Sequence, residues 1–177
     1  MGNFEKGLET VFMSFDEIVD AIKGRLGDAS VPEVDLKTSP QAIIVTADVL
    51  HQICSFLYSD ERLYFDSLSC LTGLDNGPEA NTMEVIYNLY SIPYNHHLMI
   101  KVILERNNPG QALPEIPSVS NIWKTADWHE REAFDLLGIN FTGHPDLRRI
   151  LLPADWEGHP LRKDYSNLEV YHGIVVD

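Results

Sequence analysis

His129-Glu130 is the first pair in this chain that invites chemistry. A His-Glu-x-x-His helix holds zinc between two imidazoles on one face and uses the Glu as a base. Ala133 occupies the position of the second imidazole, so the metal reading fails. The other histidines, His51, His96, His97, His144, His159 and His172, have no spacing that builds a metal site. His96-His97 falls at an expected hairpin and is read as a solvated turn. Cys54 and Cys70 stand sixteen residues apart, which fits no zinc or iron–sulfur pattern. Both are expected as buried, reduced thiols. The sequence has no Gly-x-Ser-x-Gly elbow and no phosphate-cradling glycine loop, so nucleophilic and nucleotide chemistry lack support.

What remains is charge. Glu130, Arg131, Glu132 and Asp135 cluster on one expected helix, with Glu132 and Asp135 a like-charge i,i+3 pair and Arg131 poorly placed to satisfy Glu130. Trp128, Phe134 and Leu137 are expected to pack that helix on one side and leave the charges in solvent on the other. Arg148, Arg149, Arg162 and Lys163 follow, four of the chain's 13 basic residues within sixteen positions. This basic arm either pairs with the acidic helix inside the chain or pairs with a neighbouring protein, where arginine's planar fork suits carboxylates. Residue chemistry leaves both open. Beyond Gly138 few apolar residues recur at regular spacing, so the arm is expected to be loosely held in the isolated chain.

The 177 residues favour one domain with an appended segment, and 44% hydrophobic content is that of a folded protein. A formal charge of −14 excludes general nucleic-acid affinity, which needs a dominant basic surface. Met1 to Val11 carries Glu5 and Glu9 without an apolar run, so no secretory signal is expected. No stretch approaches the roughly 20 apolar residues of a membrane span. The expectation is a cytoplasmic protein that meets a membrane only through partners.

The positioning elements follow from period and punctuation. Ser14-x-x-Glu17 is a capping box, with Phe15, Ile18, Val19, Ile22 and Leu26 at helical spacing and Gly27 as a stop. A loop containing Pro32 and Pro40 leads to a strand over 42–46, then a helix over 47–58 with Leu50, Ile53, Phe56 and Leu57 on one face. Strands are expected over 63–73, 82–92 and 98–104, the last two joined as a hairpin through Pro93-Tyr94-Asn95-His96. After a proline-rich connector, Ser118 or Ser120 is expected to cap a short helical turn over 121–124, and a further helix spans 126–137 before Gly138. The expected fold class is α+β: a small mixed or antiparallel sheet with helices packed on it, then a helix and an extended C-terminal arm. The division is a compact domain over 1–120 and a helix plus partner-binding arm over 121–177.

The segment Glu130-Arg131-Glu132-x-x-Asp135-Leu136-Leu137, six residues, His144, three residues, Arg148-x-Ile150-Leu151 resembles the signature of one family, the C subunits of respiratory NADH–quinone oxidoreductase (complex I). That family includes the mitochondrial iron–sulfur protein 3 and the J-type counterpart of the chloroplast complex. Gly158-His159-Pro160-Leu161-Arg162-Lys163-Asp164-Tyr165 is similar to its closing motif. The resemblance is sharp over about 120–165 and looser over 14–115. It implies a hydrophilic, cofactor-free scaffold subunit of the peripheral arm, on the cytoplasmic face of the cell membrane. Iron–sulfur clusters, FMN and quinone would lie on partner subunits, and the chain would pack against the D and B subunits of the complex. The residues assigned to that interface are Glu130, Arg131, Glu132, Asp135, His144, Arg148, Arg149, His159, Arg162, Lys163 and Asp164, with no catalytic residue on this chain. Some members are fused to the D subunit; with twelve residues after Tyr165, a free-standing form is expected here. The alternatives are the homologous subunit of a membrane-bound hydrogenase or a related quinone-reducing complex and, more distantly, a stand-alone metal-dependent enzyme.

Overall fold

A computed structural model describes residues 12–108, 110–166 and 170–175. The capping box forms as expected, with the Glu17 N–H on Ser14 Oγ (3.3 Å) and the Ser14 N–H on the Glu17 carboxylate (2.8 Å). It starts α1 (Phe15–Leu26), which buries Ile18, Val19 and Ile22 and ends at Gly27, where φ is +94°. Strand β1 (Glu33–Asp35) precedes β2 (Ala42–Val45), and α2 (Ala47–Ser59) follows directly, burying Leu50, Ile53, Cys54 and Leu57. Then come β3 (Ser67–Asp75), β4 (Thr82–Ser91) and β5 (His96–Glu105). The sheet order is β1-β2-β5-β4-β3, with β2 and β5 parallel and every other pair antiparallel.

Period-two burial decides which face holds the core. Met83, Val85, Tyr87 and Leu89 of β4 lie opposite Leu104, Val102, Ile100 and Leu98 of β5, all buried beneath α1 and α2. The opposite face carries Glu84, Ile86, Asn88 and Tyr90 beside His97, Met99, Lys101 and Ile103. The chain is therefore α+β, with helices on one side of a mixed sheet. Helix α3 (Ala126–Leu137) packs along edge strand β3. It is flanked by β6 (Glu115–Pro117) and β7 (Asn140–Thr142), which pair in parallel. A two-stranded ribbon, β8 (Val170–Tyr171) with β9 (Ile174–Val175), follows the arm.

Several local expectations need correction. Strand β3 starts at Ser67 rather than residue 63, because the N–H groups of Leu63 and Tyr64 bond to Asp60 O (3.1 and 2.8 Å). Phe65 N–H is likewise held by Leu57 O (2.9 Å), so this stretch tucks beneath α2 and buries Leu63 and Phe65. Residues 121–124 form turns rather than a helical turn. His96 is not a solvated turn residue: it is buried at the start of β5, stacked 5.5 Å from Tyr94, with its Nε2 accepting the Met13 N–H (2.8 Å). His97 is exposed. Cys54 is buried, whereas Cys70 is only partly covered. Among the described residues no helix is long and apolar enough to cross a membrane.

Gly73 sets how closely α3 approaches the sheet. A Cβ there would lie 2.6 Å from Leu137 Cδ1, 3.3 Å from Ile139 Cδ1 and 3.4 Å from Ala133 Cβ. Gly73→Val should therefore lower unfolding free energy by about 1–3 kcal/mol through overpacking. Urea unfolding of the variant checks this.

Candidate functional site

The charged residues singled out by sequence gather around three buried carboxyl groups, Asp135 and Glu130 on α3 and Asp75 on the sheet, each with a different set of partners. Gly138 stops α3 in the left-handed conformation (φ 68°), and the chain passes through β7 before returning across the helix end as the arm. Asp135, in the last turn, is buried. Its Oδ2 accepts the consecutive N–H groups of Ile150, Leu151 and Leu152 at 3.0, 2.8 and 2.9 Å, and its Oδ1 accepts Arg149 Nη1 at 2.7 Å. Burial alone would raise this carboxyl's pKa. The Leu152 N–H, the Arg149 guanidinium and the N–H groups of Leu151 and Ile150 outweigh it and hold the pKa below its ordinary value.

The clasp extends outward from Asp135. Arg149 Nη2 donates to Trp156 O and Gly158 O, both at 2.9 Å, and His159 Nδ1 donates to Asp135 O at 2.9 Å. Burial and the charges of Arg162 and Arg149 push the His159 pKa below its ordinary value, against that hydrogen bond. Arg162 caps the helix end, its Nε on Leu137 O (2.7 Å) and its Nη2 on Gly138 O (3.2 Å). A guanidinium there meets carbonyls that no intrahelical donor satisfies. A Cβ on Gly138 would lie 2.5 Å from His159 Cδ2 and Nε2, so glycine serves both the left-handed turn and the seat of His159.

A second cluster ties the arm to the sheet. Asp75, at the end of β3, accepts Arg106 Nε (2.9 Å) and the N–H groups of Gly77 (3.0 Å) and Lys163 (2.8 Å). Arg106 also bonds Asp164, and its side chain is only 2% exposed. The Asp75 carboxyl is raised by burial, but the Lys163 and Gly77 N–H groups and Arg106 bring it net below its ordinary pKa. The third carboxyl, Glu130, is fully buried and meets the Ser118 hydroxyl (2.6 Å) and the Val119 N–H (2.7 Å). Burial, with Asp127 adding to it, raises its pKa to about 7 despite those two hydrogen bonds. His144 lies beside it, with Nε2 3.9 Å from Glu130 Oε2.

This geometry corrects the expected solvated helix face. Glu130 and Asp135 have no exposed surface, while Trp128, expected to pack inward, is 64% exposed with Arg131 over its ring at 5.5 Å. Arg131 also donates to the carbonyls of Arg148 and Arg149 (3.2 and 3.4 Å). The described part of the arm is not loosely attached, since Asp135, Asp75 and the α3 terminus hold it at successive points. Of the residues singled out, Glu132 is exposed and borders a groove with Cys70, His129 and Leu161. Arg148 is exposed and pairs with exposed Asp146 (2.9 Å). Sequence reading missed Ser118, Asp75 and Arg106. Glu130 was misplaced although Ala126, Glu130, Ala133 and Leu137 share one helical stripe, a spacing that already aligned it with buried neighbours. Among the described residues no three His, Cys, Asp or Glu side chains converge as a metal site.

Fold and site define an α+β domain whose C-terminal arm is clasped over its last helix by buried ionic hubs. Residues 43–170 match the family described as the 30 Kd subunit of respiratory-chain NADH dehydrogenase, and the chain belongs to that family. It is 46% identical over 156 residues to the NADH-quinone oxidoreductase C subunit of Chloroherpeton thalassium, covering 88% of this chain and 62% of that protein. It is 41% identical to the corresponding C subunit of Chlorobium phaeobacteroides, covering 89% of this chain and 92% of that one. Among solved structures it resembles the trypsin-resistant fragment (1-134) of Nqo5, with 27% identity, a TM-score of 0.50, and coverage of 60% of this chain and 82% of that one. It also resembles a chain of the membrane-bound sulfane sulfur reductase, an archaeal respiratory membrane complex, covering 86% of each chain with a TM-score of 0.68. At 24% identity that second likeness is one of fold alone.

The clasp predicts a specific fragility. Asp135→Ala leaves Arg149 and three N–H groups without their acceptor and should cost about 3–5 kcal/mol of stability, the range for breaking a buried ion pair. Urea unfolding measures the loss, and limited proteolysis should cut the variant first within 148–158. The folded pKa of Asp135 is depressed, so its contribution is complete above the unfolded value near 3.8 and disappears as pH falls through the lower folded value. Acid unfolding of the variant should lack that component.

Proposed function

We propose that this chain is a scaffold subunit, without a cofactor of its own, of the peripheral arm of a proton-translocating NADH:quinone oxidoreductase. In this reading it packs against the D subunit, which helps form the quinone site, and the B subunit, which holds the terminal cluster. Those and other partners carry the iron–sulfur clusters, FMN and quinone. The chain associates with the cytoplasmic face of the membrane through them. Family membership supports the assignment to the complex. The observation that carries the scaffold role is the clasp: it engages Arg149, Arg162 and Asp164 internally and turns Leu151 and Leu161 outward, 61% and 59% exposed, on the arm that follows Trp128. Apolar anchors held on a fixed backbone bind with little ordering cost. Electron transfer depends steeply on distance, so a subunit that fixes its neighbours' positions matters without performing chemistry.

The interface residues first assigned divide accordingly. Arg148, Glu132 and Lys163 keep exposed side chains for rim contacts, whereas Asp135, Arg149, His159 and Arg162 hold the arm in shape. The test is Leu151→Asp with Leu161→Asp in the native complex. Free-chain stability should change by no more than about 0.5 kcal/mol, as for exposed positions. The amount of intact complex and its quinone-reductase activity should fall together. Normal assembly with lost activity would place the arm in catalysis or quinone access, and normal assembly with full activity would put the interface elsewhere. Co-purification with flavin- and NADH-binding subunits supports the reading, while a nickel-binding large subunit would move the chain to a hydrogenase-type assembly.

A further inference from the structure

Among the described residues Glu130 differs from the other buried carboxyl groups in having no guanidinium or ammonium partner. Asp135 has Arg149 and Asp75 has Arg106, each a guanidinium within 3 Å. The cationic candidate beside Glu130 is His144, whose side chain is fully buried. Its Nδ1 accepts the Asp146 N–H at 3.0 Å and therefore carries no proton, while Nε2 donates to Asp127 O at 3.2 Å. The other titratable groups that act on this region are Asp127 on α3, Cys54 on α2 and Tyr87 on β4. None is a cation. The Tyr87 hydroxyl is buried without a hydrogen-bond partner among the described residues. An isolated carboxylate in such surroundings is expensive, and taking up a proton relieves the cost.

The hydroxyls next to Glu130 accommodate both protonation states. Ser118 Oγ lies 2.6 Å from Glu130 Oε2 and 2.8 Å from Ser120 Oγ, and it accepts the Ser120 N–H at 3.2 Å. When Glu130 is protonated, its O–H donates to Ser118 Oγ, and Ser118 donates onward to Ser120 Oγ. When Glu130 is ionised, the Ser118 O–H turns to the carboxylate and the Ser120 O–H turns to Ser118. In the ionised direction each of these donors has an acceptor, in the protonated direction the Ser120 O–H is released from Ser118, and Val119 N–H stays on Glu130 Oε1 throughout. Both serines are buried, and the next residue, Asn121, is exposed, so the relay runs from the core towards the surface.

We propose that Glu130 is a buried proton-binding site, served by a reversible Ser118–Ser120 hydroxyl relay, and that its occupancy sets how firmly α3 holds the 118–120 turn. The site is independent of the assembly reading, because every group it uses lies within this chain. Its folded pKa of about 7 stands above the unfolded 4.5. The folded state thus holds a proton that the unfolded state has lost, and stability declines as pH rises between those two values, then levels off. This trend is opposite to that of Asp135.

The test is a carbon-detected NMR titration of glutamate carboxyl groups in the full-length chain. One resonance, absent from Glu130→Gln, should titrate with a midpoint near 7, and the Val119 amide should move with the same midpoint. Ser118→Ala removes a hydrogen bond that favours the carboxylate, so it should raise the midpoint further, and it provides the assignment if Glu130→Gln fails to fold. Glutamates that all titrate in their ordinary range near 4.5 would overturn the proposal. So would a Val119 amide indifferent to the Glu130 midpoint, or a Ser118→Ala midpoint that stays fixed or falls.

Discussion

The arrangement of the C-terminal third depends on one buried carboxylate, Asp135. Burying a negative charge near a helix C-terminus is doubly unfavourable, because desolvation is costly and the local carbonyl dipoles are also negative. Four donors to its two oxygens offset both effects. Three of them are successive backbone N–H groups, a concave anion-binding nest of the kind that otherwise cradles phosphates. To place them there the chain must adopt one backbone path over 150–152. Arg149 transmits that path to Trp156 and Gly158, and His159 and Arg162 close it on the helix end.

The three buried carboxyl groups show how partner type decides charge state. Asp135 and Asp75 combine a guanidinium with several N–H groups and stay ionised below their ordinary pKa. Glu130, five positions before Asp135 on the same helix, has two neutral hydrogen-bond partners and shifts upward. Burial raises all three, and only donor number and charge separate them. Asp75 has a further consequence. Through Arg106, Asp164 and Lys163 it links strand ends far apart in sequence to the arm, so the sheet and the arm share one ionic network.

That division of labour suits an assembly role better than an arm of free charges would. Exposed ion pairs contribute only about 0–1 kcal/mol, and guanidinium groups already engaged with carbonyls have little left to offer a partner. In the proposed assembly role, shape and apolar anchors would carry recognition, and charge would supply the rigidity that keeps those anchors in place. Arg106, Arg149 and Arg162 accordingly sit where buried carboxylates and helix-end carbonyls converge.

Local chemistry made much of the framework legible. The Ser14–Glu17 capping box, Gly27 and Gly138 set helix ends because cap and stop signals act within a few residues. Alternation in β5, with Met99, Lys101 and Ile103 against Ile100, Val102 and Leu104, was legible for the same reason. The three-residue strands β1, β6 and β7 were not legible, since a short polar or proline-flanked stretch becomes a strand only when a partner supplies its hydrogen bonds. The site was legible as a set of residue types and as a family signature, but the pairing was not. Whether Arg149 met Asp135 or another protein depended on Gly138 reversing the chain, and whether Lys163 met Asp75 depended on contact across 88 positions. The sequence by itself determined the three helices, their main caps, the longer strands in outline and which charges were available. Only the tertiary structure decided which carboxyl groups left water and with what company, because desolvation and pairing are properties of distant segments brought together.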